Sequence, residues 1–141
     1  MLLLVIALEL VVKEIIMKNL IIDAAKDKIF FKIIVNKESY TSEYRNSREN
    51  FDKFVLILFN FLEKNNTSIK EINNIFVNQG PGKYSGIRIS VSVAKALSVT
   101  NKLNLYGFDS EYVKNHNYDK IIDLFNKGIL IKNLIKPQYS S

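Results

Sequence analysis

From Phe51 to Leu62, nine of twelve residues are apolar: Phe51, Phe54, Val55, Leu56, Ile57, Leu58, Phe59, Phe61 and Leu62. A helix lying on one face of a sheet needs only a single apolar stripe, with polar residues elsewhere. This segment therefore has to be covered on nearly all sides. Asn46 followed by Glu49 is a capping pair that starts the helix, which then runs to about Lys64. A chain of 141 residues with 48% apolar content has room for one core. The apolar excess goes beyond what one short lobe covers, so either a chain end or a second polypeptide has to shield it.

The rest of the chain alternates between strand and helix signals. Leu20 to Ile22, Ile29 to Val35 and Ser39 to Tyr44 form a three-stranded meander through the short turns at Ala24–Lys28 and Asn36–Glu38. Asn65 to Ser68 is a loop, and Ile72 to Val77 is a strand that ends at Gln79-Gly80-Pro81-Gly82. Ser85 to Val99 has helical spacing and many small residues, Leu103 to Phe108 is a last short strand, and Ser110 to Asn126 has room for another helix. The expected order is β-β-β-α-β-α-β, a five-stranded mixed α/β sheet.

The ends are set apart from this core. Met1 to Leu8 is wholly apolar, but Glu9, Lys13 and Glu14 follow, so the run falls short of the ~20 residues a membrane helix needs. It also lacks the basic start and cleavage site of a signal peptide. Met17 begins a natural domain start, so residues 1–16 are expected to be an extension or a mis-assigned start, with a short appended helix as the alternative. Residues 17–125 form the lobe and 126–141 a tail.

Several chemistries are excluded or disfavoured. With no cysteine there is no disulfide, thiolate nucleophile or cysteine-ligated metal, and a cytoplasmic location is expected. The net charge of +6 comes from scattered lysines such as Lys64, Lys70, Lys83, Lys95 and Lys102, which signals solubility rather than a nucleic-acid surface. The single histidine, His116, sits in a polar segment and is expected to be exposed. There is no serine, histidine and acid constellation, so no catalytic residue, metal site or cofactor is expected.

The most specific stretch is Gly80-Pro81-Gly82-Lys83-Tyr84-Ser85-Gly86-Ile87-Arg88-Ile89, a strand-to-loop-to-helix junction. The glycines permit turn conformations, Pro81 stiffens the turn, and Ser85 can cap the helix amides. A phosphate-binding P-loop needs lysine and a hydroxyl residue after its last glycine, but Ile87 and Arg88 follow Gly86. The dinucleotide fingerprint needs glycine where Ser85 stands. A structural turn is the better reading.

This junction resembles the G-P-G-S-[FY]-T-G-[LI]-R-[IL]-G signature of the TsaB (YeaZ) family, most clearly at Gly80, Pro81, Gly82, Ser85, Gly86 and Arg88. Leu20-Ile21-Ile22-Asp23 is similar to the family's opening strand, Asn46-Ser47-Arg48-Glu49 to its H-S-E helix start, and Ala94-Lys95-Ala96-Leu97 to its A-K-G-L segment. Tyr106 to Ser110 is similar to its G-V-S-S segment, and Lys136-Pro137-Gln138-Tyr139 to its terminal P-x-Y. The resemblance runs from Met17 to about Val113. It implies a ribonuclease H-like or actin-type ATPase half-fold, with most of the second lobe missing.

For function, the resemblance implies a non-catalytic subunit of the machinery that makes threonylcarbamoyladenosine in tRNA. Its expected partner is a TsaD-like catalytic subunit, bound as a heterodimer; a TsaE-like ATPase and a homodimer are further associations, and tRNA is met only indirectly. The implied interface is Phe51, Phe54, Val55, Leu58, Phe59, Leu62, Val91, Lys95 and Ser98. Neither membrane contact nor peptidase activity is expected. The alternative is a nucleotide-binding fragment of the actin or sugar-kinase type. Against it, Asp23-Ala24-Ala25-Lys26-Asp27 lacks the glycine and hydroxyl of the phosphate-binding D-x-G-x-[ST] hairpin.

Overall fold

The computed structural model describes residues 1–15, 17–132 and 135–140, with side chains left undescribed at residues 9–15 and 131. Parts of the expected extension and tail, at residues 16, 133, 134 and 141, lie outside the described residues.

Strands β1 (Lys18–Asp23), β2 (Lys28–Val35) and β3 (Glu38–Arg45) form an antiparallel meander, as the two short polar turns predict. Strands β4 (Asn74–Gly80) and β5 (Asn104–Asp109) then add parallel to β1. Parallel neighbours need crossovers. These are supplied by α2 (Arg48–Asp52) and α3 (Phe54–Lys64) before β4 and by α4 (Tyr84–Asn101) before β5. A two-residue strand, β6 (Ile131–Lys132), extends the five expected strands to the order β3-β2-β1-β4-β5-β6.

Alternation along β1 builds two cores. Leu20 and Ile22 point to the α2–α4 side, where they join Phe31, Phe54, Leu58, Phe61, Leu62 and Ile87. Ile21 points to the other side and joins Phe76, Phe108, Tyr118 and Ile121, covered by α5 (Asp119–Asn126). β4 lies between two parallel partners and is buried along its whole length. Its Asn74 is satisfied by a ladder across three strands: Asn74 donates to Asn19 Oδ1 at 2.9 Å, and Asn104 donates to Asn74 Oδ1 at 3.2 Å.

The helices depart from the sequence reading in three places. The expected single helix up to Lys64 breaks at Lys53 into α2 and α3. Its cap is Ser47, whose hydroxyl accepts from the Asn50 amide at 3.2 Å. Asn46 is drawn away because its side-chain amide donates to the Ala24 and Lys26 carbonyls in the β1–β2 turn. In the segment after β5, a 3-10 turn at Ser110–Tyr112 and a tight turn around Asn115 and His116 come first, so α5 is shorter than expected.

At the N-terminus, Leu2–Ile15 form a helix, α1. Leu2, Leu3, Leu4, Val5, Ile6 and Leu8 stand exposed, so none of them seals the core. Among the described residues, no helix is long and apolar enough to cross a membrane.

Candidate functional site

Three elements meet at the C-terminal ends of β1 and β4: the β1–β2 turn, the glycine junction and the tail. Close approach explains the glycines. A methyl at Gly86 would overlap the Ala24 carbonyl oxygen, and one at Gly82 would overlap that of Ala25. Gly80 has φ +111°, and the Gln138 carbonyl occupies the space where its Cβ would lie. The Lys83 amide donates to Ala25 O at 2.8 Å, which pins the start of α4 to the turn.

Ser85 does not cap α4. Lys83 holds the cap position without a side-chain bond, and Ser85 is exposed. Pro81 is exposed and its carbonyl faces the Ser110 hydroxyl at 2.8 Å. Arg88 is exposed and donates to the Tyr84 hydroxyl at 3.2 Å. The tail completes the junction: Gln138 N donates to Gln79 O at 2.7 Å and Ser140 N to Gly82 O at 2.8 Å.

Beneath the junction lies a polar network that the sequence did not reveal. Asp23 Oδ1 accepts from Ala25 N at 3.2 Å and from Asn78 Nδ2 at 3.0 Å, while Oδ2 accepts from the Tyr118 hydroxyl at 2.8 Å. Asn78 Oδ1 in turn accepts from Gly80 N at 2.8 Å. Burial, followed by the Asp23 charge, pushes the Tyr118 hydroxyl well above the usual tyrosine range, so it stays a donor. A cleft of about 300 Å³ opens over Asp23, Asn78 and Ser110, with Lys26 and Lys28 at its edge. His116 is exposed as expected, and it also lines this cleft, stacked on Phe30 at 3.8 Å. No spacing rule in the sequence brings His116 to Phe30.

The nine interface residues divide between inside and outside. Phe54, Leu58, Leu62, Val91 and Ser98 are buried in the chain's own interior, and Phe51 is half-buried. Val55 is 49% exposed, Phe59 is 38% exposed and Lys95 lies on the surface of α4, while Leu56, which is not among the nine, is 57% exposed beside them. Sheet and α4 therefore cover one side of α3, while Val55, Leu56 and Phe59 leave an apolar strip on the other.

An antiparallel three-strand meander continued by parallel strands in the order 3-2-1-4-5, with helical crossovers, defines a ribonuclease H-like α/β protein. The solved structure of YeaZ from Pseudomonas aeruginosa has this fold, superposing with a TM-score of 0.61 at 14% identity over 66% of this chain and 44% of that one. The profile of the family described as TsaD, tRNA N6-adenosine threonylcarbamoyltransferase, matches residues 36–113, and the chain belongs to this family, in its TsaB/YeaZ group. One curated relative is the tRNA threonylcarbamoyladenosine biosynthesis protein TsaB of Buchnera aphidicola subsp. Schizaphis graminum, 28% identical over 91 residues, or 64% of this chain and 43% of that protein. The protein of the same name from Buchnera aphidicola subsp. Baizongia pistaciae is 33% identical over 67 residues, or 47% of this chain and 30% of that protein. The chain thus spans less than half the length of the curated relatives it matches.

Proposed function

We propose that this chain is a non-catalytic subunit of the tRNA threonylcarbamoyladenosine machinery, which docks on a TsaD-like catalytic subunit and holds it competent to transfer threonylcarbamoyl to tRNA adenosine. The observation that carries this reading is the strip of Val55, Leu56 and Phe59, left in water after the opposite side of α3 has closed on the core. Exposed apolar side chains next to one another on a helix mark a surface that gains by being covered. Membership of the family supports a TsaD-like subunit as the partner. The lobe contributes shape and apolar area, and no side chain of it enters the chemistry.

Co-expression with a TsaD-like subunit followed by gel filtration tests the proposal. Co-elution at micromolar concentration is the expected result, and separate elution of two folded proteins rejects it. A TsaE-like ATPase would then be expected to join the pair. Elution of the chain alone as a homodimer that the catalytic subunit cannot displace would assign the strip to self-association instead.

A second reading rests on the cleft above Asp23, whose edge carries Lys26 and Lys28. It makes the chain a nucleotide-binding fragment of the actin or sugar-kinase type. The β1–β2 turn lacks the glycine and hydroxyl of that hairpin, so the first reading is preferred. Calorimetry with ATP and magnesium separates the two, because the docking subunit is expected to give no heat of binding on its own.

A further inference from the structure

Strand β3 is an outer edge of the sheet. Its eight residues, Glu38–Arg45, pair with β2 on one side, in an unbroken register from Val35↔Glu38 to Lys28↔Arg45. The opposite edge is short, because β6 has two residues. Exposed edges are ordinarily blunted by shortness, proline, a bulge or a lysine in mid-strand. β3 carries none of these, since it contains no proline and no lysine and its pairing shows no shift. Its charges are Glu38, Glu43 and Arg45, which leaves Ser39 to Ser42 uncharged, and Glu43 is neutralised by Lys28 at 2.8 Å.

The two-residue turn at Asn36 and Lys37 decides which backbone groups face outward. It makes Val35 and Glu38 a pair that exchanges both backbone bonds, so Glu38, Tyr40, Ser42 and Tyr44 turn their N–H and C=O towards β2. Those of Ser39, Thr41, Glu43 and Arg45 turn away from it. The Arg45 carbonyl is taken by the Asn50 side-chain amide at 2.7 Å. Among the described residues, nothing bonds the backbone N–H or C=O of Ser39, Thr41 or Glu43. The open run is therefore centred on Thr41. Neither face of the strand is closed over there: Tyr40, on the α2–α4 side with Ile33, is 43% exposed, and Thr41 is exposed on the other.

We propose that β3 is a self-association edge, where a second copy of this chain adds its own β3 antiparallel and joins the two six-stranded sheets into one. The two-fold axis of such a pair is perpendicular to the sheet, so outward-facing residues meet outward-facing residues. With Thr41 opposite Thr41 of the second copy, Ser39 lies opposite Glu43 and every open group of Ser39, Thr41 and Glu43 has a partner. Sliding the copies by two residues one way sets the Ser39 amide against the Arg45 carbonyl that Asn50 already occupies. Sliding them the other way sets Glu43 against the turn residue Lys37, beyond the end of the strand. In the Thr41-centred register no like charges face each other along the open run, and the threonine hydroxyls meet across the axis. The seam is small, so the dimer forms and dissociates with concentration, and it uses none of the residues of the α3 docking strip.

The test is sedimentation velocity of the full chain from micromolar to millimolar concentration, with circular dichroism to show that each variant is folded. The wild type is expected to pass from monomer to dimer. Thr41→Lys sets two ammonium groups face to face at the axis and Thr41→Glu two carboxylates, so each is expected to weaken self-association about 5- to 10-fold, and an equimolar mixture of the two to restore it. Thr41→Pro deletes the outward N–H without removing a bond to β2, and is expected to abolish the dimer while binding a TsaD-like subunit as the wild type does. Val55→Asp, on α3, is expected to self-associate as the wild type does. A folded wild type that stays monomeric throughout, or Thr41→Lys and Thr41→Glu chains that dimerise unchanged, overturns the proposal. So does a dimer lost in Val55→Asp and kept in Thr41→Pro, which would move the seam to α3.

Discussion

The Tyr118 hydroxyl donates to Oδ2 of Asp23 across 2.8 Å, fastening the segment after β5 to the end of β1. Both residues are buried, and the tyrosine is the only side chain that bonds this carboxylate oxygen among the described residues. Tyr118→Phe removes the donor and keeps the ring, so it is expected to cost about 1–3 kcal/mol at neutral pH by urea denaturation.

The same bond predicts a pH dependence. Burial and the Asp23 charge hold the folded Tyr118 hydroxyl above the ordinary tyrosine value, which is about 10 in an unfolded chain. Its contribution is therefore fully present below about pH 10 and is lost as the pH rises further, because only the unfolded chain gives up the proton. Urea midpoints measured from about pH 8 to about pH 11 are expected to fall more steeply for wild type than for Tyr118→Phe. Parallel curves would show that the hydroxyl titrates normally.

Gly86→Ala puts a methyl onto the Ala24 carbonyl oxygen, and backbone cannot rotate aside as a side chain can. A loss of about 1–3 kcal/mol or more is expected, with the start of α4 lifted off the β1–β2 turn. Thermal melting checks the magnitude. Hydrogen exchange at the Lys83 amide, which donates to Ala25 O, checks the location.

Opposite sides of α3 respond differently to charge. Val55→Asp is half exposed and is expected to change stability by under about 1 kcal/mol while abolishing co-elution with the catalytic subunit. Leu58→Asp buries a carboxylate at a position with 0% exposure and is expected to unfold the chain, so its loss of binding says nothing about the interface. Circular dichroism alongside gel filtration separates the two outcomes.

Asn74 lies at the centre of the asparagine ladder, completely buried between Asn19 and Asn104. Asn74→Ala leaves the Asn19 oxygen and the Asn104 amide without this partner. A cost of about 1–3 kcal/mol is expected in the urea midpoint, and Asn74→Asp is expected to cost more because it also buries a charge.

The sheet was legible because apolar periodicity and turn chemistry are local. Ile29 to Val35 or Leu103 to Phe108 needs no distant partner to show its character. The glycine junction was legible as a turn, but its reason was not: Gly82 and Gly86 are required by Ala25 and Ala24, about sixty residues earlier in the chain. Asn46 looked like a helix cap because the sequence does not show that the turn carbonyls of Ala24 and Lys26 would claim its amide first.

What the sequence determined by itself was the order of strands and helices, the family signature and an excess of apolar residues in α3. Tertiary structure alone decided which of those residues remain outside, since burial of Leu58 and exposure of Val55 depend on where α4 and the sheet lie. It also gathered Asp23, Asn78 and Tyr118 into one network. Periodicity records the helical pitch, whereas contacts between segments arise only when the chain closes on itself and each side chain acquires neighbours that its sequence position does not name.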